Sequence, residues 1–223
     1  MRKLFAFTAL LSSGACLGQS SPARDLDTPA VTIYTHFQEQ PAPTVIRHLQ
    51  AELASILRPV GVQFEWRSLD DPRASEPVAE LVVVKFKGRC SAAVSLPAAR
   101  IASGALGWTH VSDGDLLPFS DIDCDRIWRF IHPEMGAYET SEHDRSFGRA
   151  LGRVLAHELY HIFANTTKHA RAGIAKSCYT APELLSEEFH LTEREFKLIR
   201  TGKLRNLFRQ STPPMVLDAG GGE

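Results

Sequence analysis

Cysteine is scarce, with four in 223 residues, and none stand as a Cys-x-x-Cys pair. A cysteine-ligated structural zinc is therefore not expected. Charge of one sign is missing too: 25 Lys and Arg against 26 Asp and Glu leave a net charge of -1. Neither nucleic acid nor an anionic membrane has an electrostatic reason to bind. No internal repeat is visible, which removes solenoids and propellers. The one long apolar run, residues 4–11, follows Arg2 and Lys3 and gives way to small residues through Gly18. It is too short to span a bilayer and has the layout of a secretory signal peptide.

Residues 1–20 are accordingly expected to be that signal peptide, cut near Gly18 or Ser20, with residues 21–30 a short N-terminal segment. The product is expected to be secreted or periplasmic, without stable membrane insertion. Ser13-Gly14-Ala15-Cys16 makes a poor lipoprotein site. Once Cys16 is removed, Cys90, Cys124 and Cys178 remain, an odd number in an oxidising compartment. One bridge is then expected, with Cys90 to Cys124 the preferred pairing. Beyond the signal lie roughly 200 residues, enough for one domain with a sizeable core.

Val31, Ile33, Thr35 and Phe37 alternate as in a strand, and Val45, Ile46, Leu49, Leu53, Ile56 and Leu57 follow at helical spacing until Pro59-Val60-Gly61. Val62, Phe64 and Trp66 alternate again, and the β-branched run at 81–86 predicts a central strand buried on both faces. Further strands are expected at 105–111 and at about 119–126. The pattern predicts an α+β fold: a mixed twisted sheet of about five strands with an N-terminal crossover helix. A short C-terminal helix starts at the capping box Thr192 and Glu195 and stops at Gly202. Residues 210–223, proline- and glycine-rich, are expected to form a mobile tail.

Between the sheet and that last helix comes His157-Glu158-Leu159-Tyr160-His161. Phe147, Leu151, Val154, Leu155, Leu159 and Ile162 recur every three or four residues, placing the motif on a helix with one buried face. Two imidazoles four apart then share a face, one turn from each other, and can bind one Zn²⁺ while Glu158 faces the metal-bound water. Ser141 with Asp144 is a loose capping box for this helix, and Asn165 a left-handed stop. Gly148 and Gly152 imply close approach to another backbone, expected to be the sheet.

A catalytic zinc takes three protein ligands. His169 is the leading candidate for the third, because Thr166-Thr167-Lys168 lets the chain turn back after Asn165. Glu183, Glu187 and Glu188 are the rivals. Other residues invite readings that carry less. Asp121, Asp123 and Asp125 would share a strand face and could attract Ca²⁺. Asn165-Thr166-Thr167 is a formal glycosylation acceptor, His110 sits near the expected cleft, and Met215 belongs to the tail.

The motif and the order of elements together resemble the metzincin clan of zinc metalloproteases, the matrixins most of all. The resemblance spans about residues 31–202 of an expected catalytic domain at 31–209, and only the stretch from His157 to His161 is specific. In the family pattern a glycine follows the second histidine by three residues and the third ligand by six. Here Ala164 and Thr167 hold those positions, and Asn165 and His169 take over in a loop two residues longer. Gly173-Ile174-Ala175-Lys176-Ser177-Cys178-Tyr179 is similar to the matrixin segment that carries a methionine beneath the metal, with Ala175 in the methionine position. The resemblance implies that Gly107, Trp108 and Thr109 pair with an extended substrate. It also implies that Tyr179 walls the pocket for the residue after the scissile bond.

The function expected from these residues is that of a secreted, monomeric zinc endopeptidase acting on peptide or protein substrates. Glu158 would be the general base and zinc-bound water the nucleophile. The alternatives are a secreted zinc-binding module that binds peptides without cleaving them, and a zinc peptidase with a glutamate ligand.

Overall fold

β-Branched and aromatic residues open the domain as β1 (Ala30–Glu39). The computed structural model describes residues 29–92, 104–136 and 140–210, so the expected signal peptide, Cys16 and Met215 lie outside the described residues. Helix α1 (Pro43–Leu57) begins with its proline in the first turn, where the missing N–H has no partner to lose, and buries Val45, Leu49, Leu53 and Ile56. Gly61, at φ +76, turns the chain into β2 (Gln63–Ser68). β1 and β2 pair in parallel, with Val31 opposite Phe64, so α1 is the predicted crossover.

β3 (Leu81–Arg89) pairs in parallel on the other side of β1, and its run Val82, Val83 and Val84 is buried. β5 (Asp115–Asp123) joins β3 in parallel, and β4 (Gly107–Ser112) runs antiparallel to β5. The order β2-β1-β3-β5-β4 is the mixed five-stranded sheet that the pattern predicts, with β4 at an edge. Val31, Ile33, Val82, Val84, Phe86 and Ile122 from one face of it share a core with α1 and the motif helix α3 (Thr140–Ala164). Among the described residues no helix is long and apolar enough to cross a membrane.

Residues 124–126 are not strand. They open helix α2 (Cys124–Ile131), because the Asp123 carboxylate accepts the N–H of Arg126 and caps a new helix there. The disulfide Cys90–Cys124 ties the chain just past β3 to the first residue of α2, and Cys178 remains free. Ser141 lies inside α3 rather than before it. Two short helices, α4 (Ala181–Leu185) and α6 (Arg205–Gln210), flank the expected α5 (Glu193–Thr201).

The glycines of α3 approach α1, not the sheet. A Cβ at Gly148 would lie 2.6 Å from the carbonyl oxygen of Val45, and one at Gly152 would lie 2.8 Å from that of Leu49. These obstacles are backbone, so neither side can yield by a rotamer change. Gly148→Ala is expected to cost about 1–3 kcal/mol by overpacking despite alanine's better helix propensity. A denaturant midpoint equal to or above wild type would show that the helices can part freely.

Candidate metal centre

Asn165 adopts φ +50, the predicted left-handed stop. Its N–H reaches the carbonyl of Ile162, and that of Thr166 reaches His161, closing the end of α3. The chain then folds back and brings in His169. Ligand nitrogens of His157, His161 and His169 all lie within 4.8 Å of one another, a set that can hold a metal ion. The rival carboxylates are engaged elsewhere or stand outside this set. Glu183 caps α4 and pairs with Lys176, and Glu187 meets Arg149 at 2.9 Å.

The hydrogen bonds decide which ring nitrogen faces the centre. Nδ1 of His157 lies 2.7 Å from the Ile174 carbonyl, and Nδ1 of His161 lies 2.7 Å from the Thr166 carbonyl. A carbonyl only accepts, so each Nδ1 must carry the hydrogen and each Nε2 offers a lone pair. Those two Nε2 atoms are 3.1 Å apart. Two lone pairs at that distance repel unless a cation lies between them, and a tetrahedral zinc at its usual bond lengths holds two nitrogens about 3.3 Å apart. Burial lowers the pKa of His157 to about 4, aided by the nearby charge of His161, and burial lowers that of His161 as well. Both are neutral at pH 7, the ligating form. The donor set therefore fits a divalent metal.

One turn supports two of the histidines. In Gly173–Ala175 the Ile174 carbonyl accepts from both His157 and the Tyr179 hydroxyl, while the Ala175 carbonyl accepts the Ala170 N–H at 2.8 Å. The turn is fastened from behind by Glu195, a fully buried carboxylate of α5. One of its oxygens accepts from the Ala175 N–H at 2.6 Å, and the other accepts from the Thr192 N–H and hydroxyl at 2.7 and 2.9 Å. Gly173, at φ +77, makes room: a Cβ there would lie 2.2 Å from that carboxylate. Ala175, assigned by resemblance to the methionine position, is wholly buried in this turn.

Sequence reasoning found Glu195 only as a capping residue, since nothing local marks a contact twenty positions away. Glu195→Ala would strand the buried Ala175 N–H, at a cost of about 1–3 kcal/mol, and would release the half-buried Thr192 N–H. It should also weaken metal binding by roughly 10–100-fold, as loss of an outer partner does. Chelator competition on the folded variant measures this, and unchanged affinity would confine Glu195 to stability.

Glu158 is 4% exposed and leans on the edge strand: its Oε2 accepts from the Thr109 hydroxyl at 2.8 Å. Burial raises its pKa to about 7, with the Thr109 bonds opposing. Gly107 lies beside it, where a Cβ would come within 3.1 Å of Glu158 Oε1 and 3.0 Å of Val154. The structure thus brings Gly107 and Thr109 against Glu158, while Trp108 is more exposed, with the Lys87 ammonium 4.6 Å above its ring. A cavity of about 510 Å³ opens between β4, the three histidines and residues 176–179. Tyr179 lines this cavity, stands edge-on to His157 and directs its hydroxyl to the Ile174 carbonyl.

His110 and the acidic trio do not join this site. His110 meets Asp121 at 2.8 Å, Asp123 caps α2, and Asp125 pairs with Arg89 at 3.6 Å. The three carboxylates diverge because the strand ends at Asp123, so no shared calcium face forms.

No protein-family profile and no curated protein matches this chain.

Proposed function

We propose that the chain is a secreted or periplasmic zinc-dependent endopeptidase of the metzincin-like kind. The observation that carries this is the convergence of His157, His161 and His169, two of them fixed through Nδ1, beside a buried carboxylate at a sheet edge. Zn²⁺ held by the three histidines would supply a Lewis acid that acidifies water and polarises the scissile carbonyl. Glu158, with a pKa near neutrality, takes the proton of the attacking water and passes it to the leaving amine. The open edge of β4 aligns an extended substrate by backbone pairing, with Gly107 leaving the approach to Glu158 clear. Tyr179 walls the cavity that receives a side chain.

A second reading, a metal-binding module that binds peptides without cleaving them, is favoured by one contact. Oε2 of Glu158 is held by Thr109. One experiment separates the two: the zinc content of the purified protein, together with cleavage of an unstructured protein substrate. Stoichiometric zinc with chelator-sensitive cleavage is expected. Zinc without cleavage selects the binding module, and absence of zinc rejects both.

A further inference from the structure

The cavity beside the three histidines is mostly apolar, walled by Leu106, Leu116, Phe130 and Val154, yet Arg126, its side chain 30% exposed, also lines it. On the reading of this cavity as a peptide site, we propose that Arg126 makes it select a peptide side chain bearing a carboxylate.

Arg126 belongs to the first turn of α2, where the Asp123 cap fixes its backbone. The same carboxylate approaches its Nε at 3.4 Å and occupies only that inner edge. Nη1 and Nη2 make no hydrogen bond among the described residues. Nη1 lies where Gly104 lacks a side chain, since a Cβ there would come within 1.8 Å of it. Gly104 thereby lets the guanidinium extend along the cavity wall.

Among the described lining residues this edge is the cationic feature without an acceptor. Lys176, the second cation of the wall, is taken by Glu183 and lies over the Tyr179 ring. Glu158 is the lining carboxylate, and Thr109 holds it. A guanidinium edge accepts a carboxylate through two parallel charge-assisted bonds. An entering lysine or arginine would instead meet a like charge within low-dielectric walls, and a purely apolar side chain would desolvate Arg126 without replacing its water.

The test uses binding, so that it does not depend on turnover. Zinc-loaded Glu158→Gln protein is immobilised, exposed to a random-sequence peptide library, and the retained peptides are sequenced. Wild type is assayed in parallel for cleavage of the same library. Enrichment of Glu and Asp at one position, on the order of tenfold, is expected in the retained pool. That enrichment should vanish when Arg126→Gln is added and turn toward Lys and Arg with Arg126→Glu. Melting temperatures of the variants confirm that they are folded, and the charge-retaining Arg126→Lys should keep part of the preference. A pool without acidic enrichment, enrichment unchanged in Arg126→Gln, or no retained peptide overturns the proposal. Absence of cleavage by wild type alongside acidic enrichment overturns the peptidase reading alone.

Discussion

Glu158→Gln is expected to retain its metal and lose turnover by on the order of 10²–10⁴-fold, the usual contribution of a positioned general base. The fold should tolerate the change. Glu158 is 4% exposed and its burial already favours the neutral form, so a neutral isostere adds no desolvation cost. The Thr109 hydroxyl, which donates to Oε2 at 2.8 Å, can donate equally to the amide oxygen of glutamine. None of the three histidine nitrogens is touched, so metal content should match wild type. Proton transfer alone is removed. Wild-type turnover in a metal-replete Glu158→Gln protein would rule out this role for Glu158.

His169→Ala should lower metal affinity more than any substitution outside the three histidines. His157 and His161 share one rigid helix and owe nothing to the third residue for their spacing, whereas His169 closes the set from a separate loop. With two ligands left, affinity should fall by more than the roughly 10–100-fold typical for loss of an outer partner. Glu183→Ala, Glu187→Ala and Glu188→Ala should leave it unchanged, though Glu183→Ala also removes the capping box of α4 and should cost stability. Competition with a chromophoric chelator across the four variants measures this. Unchanged affinity in His169→Ala, with loss in a glutamate variant, would reassign the third ligand.

Elements with strong periodicity were legible in the chain. The run at 81–86 became the central strand, and the motif helix and crossover helix lie where their apolar spacing puts them. Misreadings cluster where a side chain from one element competes for another's backbone. Cys124, Asp125 and Arg126 continue a strand-like stretch, yet the Asp123 cap turns them into helix. α4 rests on a Thr180 and Glu183 capping box too short to show any apolar period. Gly148 and Gly152 announced a close approach but not its partner, because a missing side chain says only that something is near.

At the site, the sequence by itself determined the pair of helical histidines, the carboxylate between them and the turn at Asn165. Each depends on spacing within one helix or on the conformational preference of one residue. Tertiary structure alone decided the rest. His169 is a ligand candidate because the Ala170 N–H finds Ala175 and the reversed loop is held against α3. The tautomers of His157 and His161 follow from carbonyls at Ile174 and Thr166. Glu195 and Arg126 acquire meaning only when α5 and α2 are docked. Hydrogen bonds and desolvation act between atoms close in space, and sequence distance does not encode which atoms those will be.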